Sequence, residues 1–253
     1  MKTIWIIGAS TGIGAALMKT FQEQGCRVFA SARNQEKLAA ACNGLSGCHA
    51  VPLDVCDVAS LNEAAAYIRE HVTSIDTLIV NAGTCEYMDS DALDIALVRR
   101  VFETNFFGAI QAINTALPLL RSAARPQLVV IGSSVSYQAL PRAHAYGASK
   151  AAIRYFTECL NIDLQKEGID VRVVSPGFVD TPLTAQNDFA MPFRISAEQA
   201  ADNIVKGLEG SSFDVHFPKR FTWLLKGFAK LPQSLRFRML SGMSRHDAGK
   251  PTS

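Results

Sequence analysis

The chain has 253 residues, with 48% hydrophobic and 19% charged side chains and a formal net charge of +2. This size and composition fit one well-buried globular domain, and no apolar run is long enough to span a bilayer. Six scattered cysteines, without C-x-x-C or zinc-type Cys/His spacing, and an N-terminal apolar run too short for a secretory signal predict a reduced, cytoplasmic protein without a metal site.

Short apolar runs alternate with amphipathic helical patterns along most of the chain. The predicted strands are 3–8, 27–32, 49–54, 77–82, 127–134, 170–176 and, more weakly, 213–218; the predicted helices are 12–24, 34–43, 58–71, 92–123 and 145–167. The apolar runs lack period-two alternation, which is typical of strands buried on both faces. Ser196 and Gln199 have capping-box spacing and mark one more helix start. The pattern predicts an α/β, doubly wound parallel sheet (a Rossmann fold) as a single domain over residues 1–253.

The first predicted strand is followed directly by a glycine-rich turn, "GASTGIG", with Gly8, Gly12 and Gly14. Glycines at such a turn permit a tight bend and let a dinucleotide pyrophosphate approach the backbone. The start of the next helix would offer free N–H groups and a positive dipole end to the phosphates. A glycine-rich turn without a ligand is the alternative, but the position between strand and helix favours nucleotide binding.

Tyr146 and Lys150 are four residues apart in a predicted helix and therefore share one of its faces. At roughly 4 Å and an effective dielectric constant near 20, an ammonium would stabilise a phenolate by about 4 kcal/mol. The spacing therefore predicts that Lys150 lowers the pKa of Tyr146, which would let the phenol exchange protons. An ordinary pair on the helix surface is the alternative.

These features, taken together, resemble the classical short-chain dehydrogenases/reductases, and the resemblance runs from about residue 2 to residue 185. The glycine spacing is G-x-x-x-G-x-G, "NAG" stands at 81–83, "ETNFFG" supplies Asn105, and "SPGFVDTP" contains Thr181. Ser133 precedes Tyr146 by thirteen residues, the serine-to-tyrosine spacing of that family. The resemblance implies a catalytic set of Asn105, Ser133, Tyr146 and Lys150.

The resemblance also implies which residues contact the cofactor. They are Gly8, Ser10, Thr11, Gly12, Ile13, Gly14, Arg33, Asp54, Val55, Asn81, Ala82, Gly83, Tyr146, Lys150, Pro176, Gly177, Val179 and Thr181. Asp54 would meet the adenine amine, Thr181 the nicotinamide carboxamide, and Lys150 the nicotinamide ribose. Structural alternatives remain: Asn81 and Asn105 would also serve to satisfy buried backbone groups, Asp54 would also serve as a helix cap, and Arg33 as a solvated surface residue.

The implied reaction is hydride transfer between a nicotinamide cofactor and a carbonyl or secondary alcohol. Tyr146 would be the general acid/base, Ser133 would hydrogen-bond the reacting oxygen, and Asn105 would hold a water that relays protons to Lys150. Ser134 is the alternative to Ser133. Cys85 has no evident partner in the sequence, so we expect a small buried residue rather than a nucleophile.

The residues after the second predicted strand bear on the choice of cofactor. Members of the family that prefer NAD carry an acidic residue there, whereas this chain has Ala32 followed by Arg33. A guanidinium suits a 2′-phosphate, so NADP(H) is favoured and NAD(H) stays open. Thr11 stands where many NADP-preferring members have a basic residue.

Residues 182–195 are expected to be the substrate lid, in which Phe189, Met191 and Phe193 either line an apolar pocket or dock the lid on the body. The substrate itself is a small carbonyl or alcohol compound that the sequence does not identify. A non-enzymatic, nucleotide-sensing or membrane-associated scaffold is the alternative, but it would not need the complete Asn-Ser-Tyr-Lys set.

The C-terminal extension, residues 217–253, carries eight Lys/Arg against one acidic residue, whereas the rest of the chain has 17 basic and 22 acidic residues. Its apolar residues have helical spacing up to Pro232, which separates two predicted helices. We expect it to pack on the body or on a partner subunit of a homodimer or homotetramer. Contact with an anionic membrane is the alternative, and the acidic body argues against nucleic-acid binding.

Overall fold

The structure, a computed structural model, describes residues 1–242 and contains a seven-stranded parallel sheet in the order β3-β2-β1-β4-β5-β6-β7. The strands are β1 (Thr3–Ile7), β2 (Arg27–Ser31), β3 (Cys48–Ala50), β4 (Thr77–Val80), β5 (Gln127–Ile131), β6 (Asp170–Pro176) and β7 (Asp214–Phe217). The helices are α1 (Gly12–Glu23), α2 (Gln35–Cys42), α3 (Val58–His71), α4 (Ile95–Phe102), α5 (Ala109–Arg121), α6 (His144–Leu164), α7 (Ala197–Leu208), α8 (Lys219–Phe228) and α9 (Gln233–Ser241). The predicted doubly wound α/β fold is confirmed.

Both faces of the sheet are buried, which explains why the strands read as continuous apolar runs. Alternate residues of β1 enter different cores: Ile4 and Ile6 pack with side chains of α1, α2 and α7, whereas Trp5 and Ile7 pack with side chains of α3, α5 and α6. All five residues of β1 are buried. The strand therefore needs apolar side chains on both sides, as parallel sheets covered by helices require.

Two predicted strand ends were wrong. Strand β3 ends at Ala50 rather than at residue 54, although the Val51 and Leu53 amides still donate hydrogen bonds to the Ala30 and Ala32 carbonyls. Strand β5 ends at Ile131 rather than at residue 134, and Ser133 instead caps the short 3-10 turn Ser134–Tyr137 by accepting a hydrogen bond from the Val135 amide at 3.3 Å.

The predicted long helix 92–123 is interrupted in the structure. It begins at Ile95, where Asp94 caps it by accepting a hydrogen bond from the Leu97 amide at 2.9 Å. Residues Glu103–Gly108 then form a π-helical turn between α4 and α5. Such single wide turns inside α-helices are often found at functional sites, and this one contains Asn105.

The order of the strands reverses between β1 and β4, which are neighbours in the sheet. The connections from these two strands go to opposite faces, so a crevice opens outside their carboxyl ends. Gly8 follows β1 and Asn81 follows β4, and the Asn81 amide donates a hydrogen bond to the Gly8 carbonyl at 2.7 Å. The fold therefore places the two motifs at one crevice.

Helix α8 of the C-terminal extension is held to the body by a buried carboxylate. Asp214 in β7 accepts hydrogen bonds from Lys226 at 2.9 Å, from Tyr137 at 2.7 Å and from Ser175 at 2.8 Å, and Arg154 lies 3.2 Å away. The last part of the extension, residues 243–253 with Arg245, Asp247 and Lys250, lies outside the described residues.

We predict that Asp214→Asn destabilises the protein by about 3 kcal/mol at pH 7, because it leaves partly buried cations without their counter-charge. Burial would raise the pKa of Asp214, but hydrogen bonds from Lys226 and Tyr137 outweigh burial and hold the pKa below its ordinary value. The stabilisation is therefore present above the unfolded-state pKa of about 3.9 and is lost as the pH falls through the lower folded-state pKa.

Urea unfolding of wild type and Asp214→Asn at pH 7, 4 and 2.5 measures this difference, and Asp163→Asn on the exposed side of α6 serves as the control. A gap between wild type and Asp214→Asn that stays constant down to pH 2.5 would contradict the assignment.

Candidate active site

The glycine turn forms one wall of a groove of about 720 Å³ at the carboxyl ends of β1, β2 and β4. Gly8 has φ +93°, and a Cβ at this position would lie 2.5 Å from the Ala82 nitrogen. A Cβ at Gly14 would lie 2.0 Å from the Gly8 carbonyl oxygen. Both positions therefore require glycine, the first for its backbone conformation and the second for the close contact between helix α1 and strand β1.

Helix α1 begins at this groove without a side-chain cap, since the Thr11 hydroxyl makes no capping hydrogen bond. The N–H groups of its first turn have no intrahelical partner, and the positive end of the helix dipole lies beside them. An anionic group in the groove would satisfy these donors. The donor set therefore fits a pyrophosphate.

The structure brings most of the expected cofactor residues together in this groove. The lining includes Gly8, Ser10, Thr11, Gly12, Ile13, Arg33, Asp54, Val55, Asn81, Ala82, Gly83 and Thr181. Six others lie outside the lining. Tyr146 and Lys150 belong to the cluster described below, Gly14 is buried against Gly8, Pro176 is buried at the end of β6, Gly177 packs against Phe221, and Val179 is buried beside Ile195.

The region after β2 presents two cations to the groove. The neutral Ala32 is buried, and the Arg33 side chain is 81% exposed and lies 3.9 Å from Asp54. Lys37 in the first turn of α2 also lines the groove, as does Asn34, which caps this helix. The sequence interpretation named Arg33 but missed Lys37, although the spacing of four residues was visible.

The side chains of Ser133, Tyr146 and Lys150 come from two segments, the turn after β5 and helix α6. Tyr146 and Lys150 lie in the first two turns of α6, and the Tyr146 hydroxyl is hydrogen-bonded to Ser133. Lys150 is buried, and its ammonium donates a hydrogen bond to the Ile131 carbonyl at 2.9 Å. Ser134 is also buried, and the structure places Ser133, not its neighbour, against Tyr146.

The predicted effect of Lys150 on the phenol was wrong for this structure. Burial raises the pKa of Tyr146 above its ordinary value, and the hydrogen bond with Ser133 only partly opposes this shift. Burial also lowers the pKa of Lys150 to about 8. Desolvation disfavours both charged forms, so the phenol stays protonated at neutral pH.

Asn105 connects this cluster to the loop after β4. Its side-chain oxygen accepts a hydrogen bond from the Thr84 amide at 2.8 Å, and its nitrogen donates to the Thr84 carbonyl at 2.9 Å and to Ser149 at 3.0 Å. A Cβ built at Gly83 would lie 3.2 Å from the Asn105 oxygen and 3.5 Å from the Lys150 ammonium. Asn105 from the π-helical turn and Lys150 from α6 therefore both lie next to Gly83.

Cys85 and Tyr87 also lie at Tyr146, which the sequence did not reveal. The expectation that Cys85 has no partner was wrong, since its thiol is hydrogen-bonded to Tyr87 and lies close enough to Lys150 and Tyr146 to affect their charges. Burial raises the pKa of Cys85 and that of Tyr87, so both are neutral. No spacing rule links residue 85 to residue 146, so no sequence signal was available.

The expected lid is attached to the rest of the protein at its base and near its middle. Val179 and Ile195 form a parallel bridge, and Arg142 joins Asp188 of the lid at 2.8 Å to Asp89 of the loop after β4 at 2.9 Å. Phe189 packs edge-on against Tyr87 with ring centroids 5.3 Å apart.

The three apolar lid residues have different contacts. The Phe189 ring lies against Tyr87 on the side of the cluster, the Met191 sulfur accepts a hydrogen bond from Asn187, and the Phe193 ring lies 6.2 Å from Phe221 of α8. Phe193 therefore packs on α8 of the body, whereas Phe189 packs on Tyr87, and its role in lining a pocket stays a prediction.

Among residues 1–242, no group of three or more His, Cys, Asp or Glu side chains is arranged to hold a metal ion. In the same part of the chain, no helix has the length and apolar character needed to cross a membrane.

Comparisons with known proteins agree with this geometry. The family model described as short chain dehydrogenase matches residues 2–191. An uncharacterized oxidoreductase of Myxococcus xanthus is 31% identical over 221 residues, which cover 86% of this chain and 87% of that protein. A dehydrogenase/reductase SDR family protein 7-like of Anopheles gambiae is 29% identical over 249 residues, covering 88% and 78%.

A solved structure gives the same result. The crystal structure of a short chain dehydrogenase from Burkholderia cenocepacia in complex with NADP aligns with a TM-score of 0.83 and 28% identity, covering 95% of this chain and 99% of that one.

We predict that the buried ammonium of Lys150 makes stability depend on alkaline pH. The folded-state pKa of about 8 lies below the unfolded-state value of about 10.4, so the charged lysine destabilises the fold at neutral pH and this penalty disappears as the pH rises. Relative to Lys150→Met, wild type should gain roughly 2–3 kcal/mol between pH 7 and pH 10.

Chemical unfolding at both pH values tests this gain, with Lys166→Met at an exposed lysine as the control. The same pH dependence in wild type and Lys150→Met would rule out the buried charge.

Proposed function

Because the chain belongs to the short-chain dehydrogenase family, a family of oxidoreductases, we propose that it transfers hydride between NADP(H) and a small carbonyl compound or secondary alcohol. The observation that carries this proposal is the meeting of Ser133, Tyr146 and Lys150 beside Gly83, which itself lines the nucleotide groove. A nucleotide-binding module without activity would not need a hydrogen-bonded serine–tyrosine pair at that point.

Tyr146 is the proposed general acid for carbonyl reduction. Its raised pKa keeps the phenol protonated at neutral pH, and the hydrogen bond with Ser133 orients the hydroxyl. A substrate oxygen placed between the two hydroxyls would accept a hydrogen bond from each, and the phenol would then transfer its proton as negative charge develops. The bound cofactor supplies the hydride, which the protein cannot supply.

Lys150 and Asn105 prepare this proton transfer in different ways. We propose that Lys150, with a pKa of about 8, carries its positive charge at neutral pH and binds the hydroxyls of the cofactor ribose. Both N–H groups of the Asn105 amide are already used by Thr84 and Ser149. Asn105 is therefore a positioning residue for α6 and the loop after β4, and only its oxygen has capacity left for a relaying water.

The preference for NADP(H) rests on charge at the groove. Ala32 offers no carboxylate to repel a 2′-phosphate, and Arg33 and Lys37 provide two cations at the same end of the groove. A guanidinium and an ammonium suit a phosphate dianion better than a neutral hydroxyl pair. The relative from Burkholderia cenocepacia, which was solved with NADP, supports the same choice.

The surroundings of Tyr146 favour a substrate with an apolar part. Cys85, Tyr87 and Phe189 present neutral, weakly polar side chains next to the proposed reacting oxygen. Arg142, which joins the lid to the loop after β4, already pairs with Asp89 and Asp188. We propose a ketone or aldehyde without an anionic group, or the matching alcohol.

Tyr146→Phe is expected to reduce kcat by at least about a hundredfold on any carbonyl substrate found in a panel of ketones and aldehydes, because the proton donor is lost. NADPH binding should change little, since the ring remains. Tyr155→Phe, the same substitution on the exposed side of α6, is the control. Turnover like that of wild type in Tyr146→Phe would refute the mechanism.

Arg33→Ala is expected to weaken NADPH binding by roughly ten- to a hundredfold and to leave NADH binding unchanged, because one charge-assisted contact to the 2′-phosphate is lost. Fluorescence titration of both cofactors measures this, and Arg99→Ala, an exposed arginine outside the groove, is the control. If the unmodified protein binds NADH more tightly than NADPH, the proposed preference is wrong.

A further inference from the structure

The solvent-exposed side chains of helices α8 and α9, within residues 219–242, are called the tail surface below. The inner face of α8 is fixed on the body: Phe221 is 8% exposed, Thr222 is fully buried, and Lys226 pairs with Asp214. Arg236 of α9 donates a hydrogen bond to Gln138 at 2.8 Å. The side chains on the opposite face therefore cannot turn towards the body without breaking these contacts.

The tail surface leaves an unusual set of apolar side chains exposed to solvent. Trp223 is 62% exposed and Leu224 is 65% exposed, and they are joined by Leu231, Leu235, Phe237 and Met239. Six large apolar side chains on one short segment exceed the scattered exposure that is normal for a protein surface, and such clusters mark sites of interaction.

The charge of the tail surface is of one sign. No acidic residue occurs between residues 219 and 242, and four basic residues there are exposed: Lys219, Arg220, Lys230 and Arg238. A twofold interface brings a patch against its own copy, so basic side chains would face basic side chains. A second copy of this patch is therefore a poor partner for it.

We propose that the tail surface docks on an anionic phospholipid bilayer, with the apolar side chains in the headgroup region and the lysines and arginines at the lipid phosphates. The apolar side chains gain by leaving water, and each basic residue near an anionic bilayer adds attraction. Tryptophan prefers this interfacial depth, and lysine and arginine can extend to the headgroups from it. Nucleic acid has the required charge but offers less apolar surface to Leu224 and Leu235.

This proposal replaces the expectation that the whole extension packs on the body or on a partner subunit. In the structure α8 packs on the body through Phe221, Thr222 and Lys226, and α9 contacts the body through Arg236, while most other side chains of these helices face solvent. Because the buried and the exposed side chains of α8 lie on different sides of the helix, α8 can contact the body and a lipid bilayer at the same time.

The test is co-sedimentation of the full chain with vesicles of phosphatidylglycerol and phosphatidylcholine, compared with vesicles of phosphatidylcholine alone. We expect binding only to the anionic vesicles, and weaker binding as salt rises. Lys230→Gln combined with Arg238→Gln should weaken binding by about twenty-five-fold, at about fivefold per charge. Lys166→Gln combined with Lys206→Gln, at exposed positions elsewhere, should leave it unchanged.

A second variant and its control test the contribution of the apolar side chains to vesicle binding. Leu224→Ser should weaken binding by about tenfold, whereas Leu93→Ser, at a leucine with the same 65% exposure in another part of the chain, should have no effect. All variants keep the buried contacts of α8, and their thermal unfolding should match that of wild type.

Three results would overturn the proposal. The first is no binding to anionic vesicles at low salt. The second is an oligomer, seen by analytical ultracentrifugation, that Leu224→Ser dissociates, since the patch would then be a subunit interface. The third is binding that a DNA duplex abolishes and that Leu224→Ser does not change, since a nucleic acid would then be the partner.

Discussion

The close approach of three backbone segments at Gly8 is the constraint on which the site depends. Its amide donates a hydrogen bond to Ser31 at the end of β2, and its carbonyl accepts one from Asn81 after β4. Helix α1 passes so near that a Cβ at Gly14 would lie 2.0 Å from the same carbonyl. This packing aims the first turn of α1 at the groove, and it also fixes the loop that continues from Asn81 through Gly83 to Cys85. The nucleotide groove and the tyrosine–lysine cluster therefore share one anchor.

The packing at Gly8 also determines the surroundings of Tyr146 and Lys150. An ammonium with a lowered pKa and a phenol with a raised pKa are both unfavourable in their charged forms, and the fold tolerates them because hydrogen bonds from Ser133 and to Ile131 fix their positions. A pair selected only for stability would be better replaced by apolar side chains. The arrangement makes physical sense if a bound cofactor and substrate place charge and hydroxyl groups beside this pair.

Local sequence patterns predicted the order of elements well, because buried parallel strands and amphipathic helices leave signals within a few residues. These patterns failed where a pKa value, a local conformation or a contact depends on residues that are far apart in the sequence. The spacing of Tyr146 and Lys150 was read as a charge–charge effect, but burial, which comes from the surrounding loops, dominates both pKa values. The π-helical turn around Asn105 has nearly the same apolar spacing as an α-helix, so the sequence showed one long helix. Tyr87 was missed because only folding brings it beside Phe189 and Tyr146.

Aromatic side chains connect the C-terminal extension to the proposed reaction centre. The rings of Phe221 and Phe178 lie 5.5 Å apart, those of Phe178 and Phe189 lie 6.0 Å apart, and Phe189 reaches Tyr87 at 5.3 Å. At one end of this series of rings, Asp214 holds α8 by pairing with Lys226. At the other end, Arg142 pairs with Asp188 in the lid. Phe221 of α8 is therefore linked through Phe178 to Phe189 of the lid, and the extension packs on the same side of the molecule as the lid.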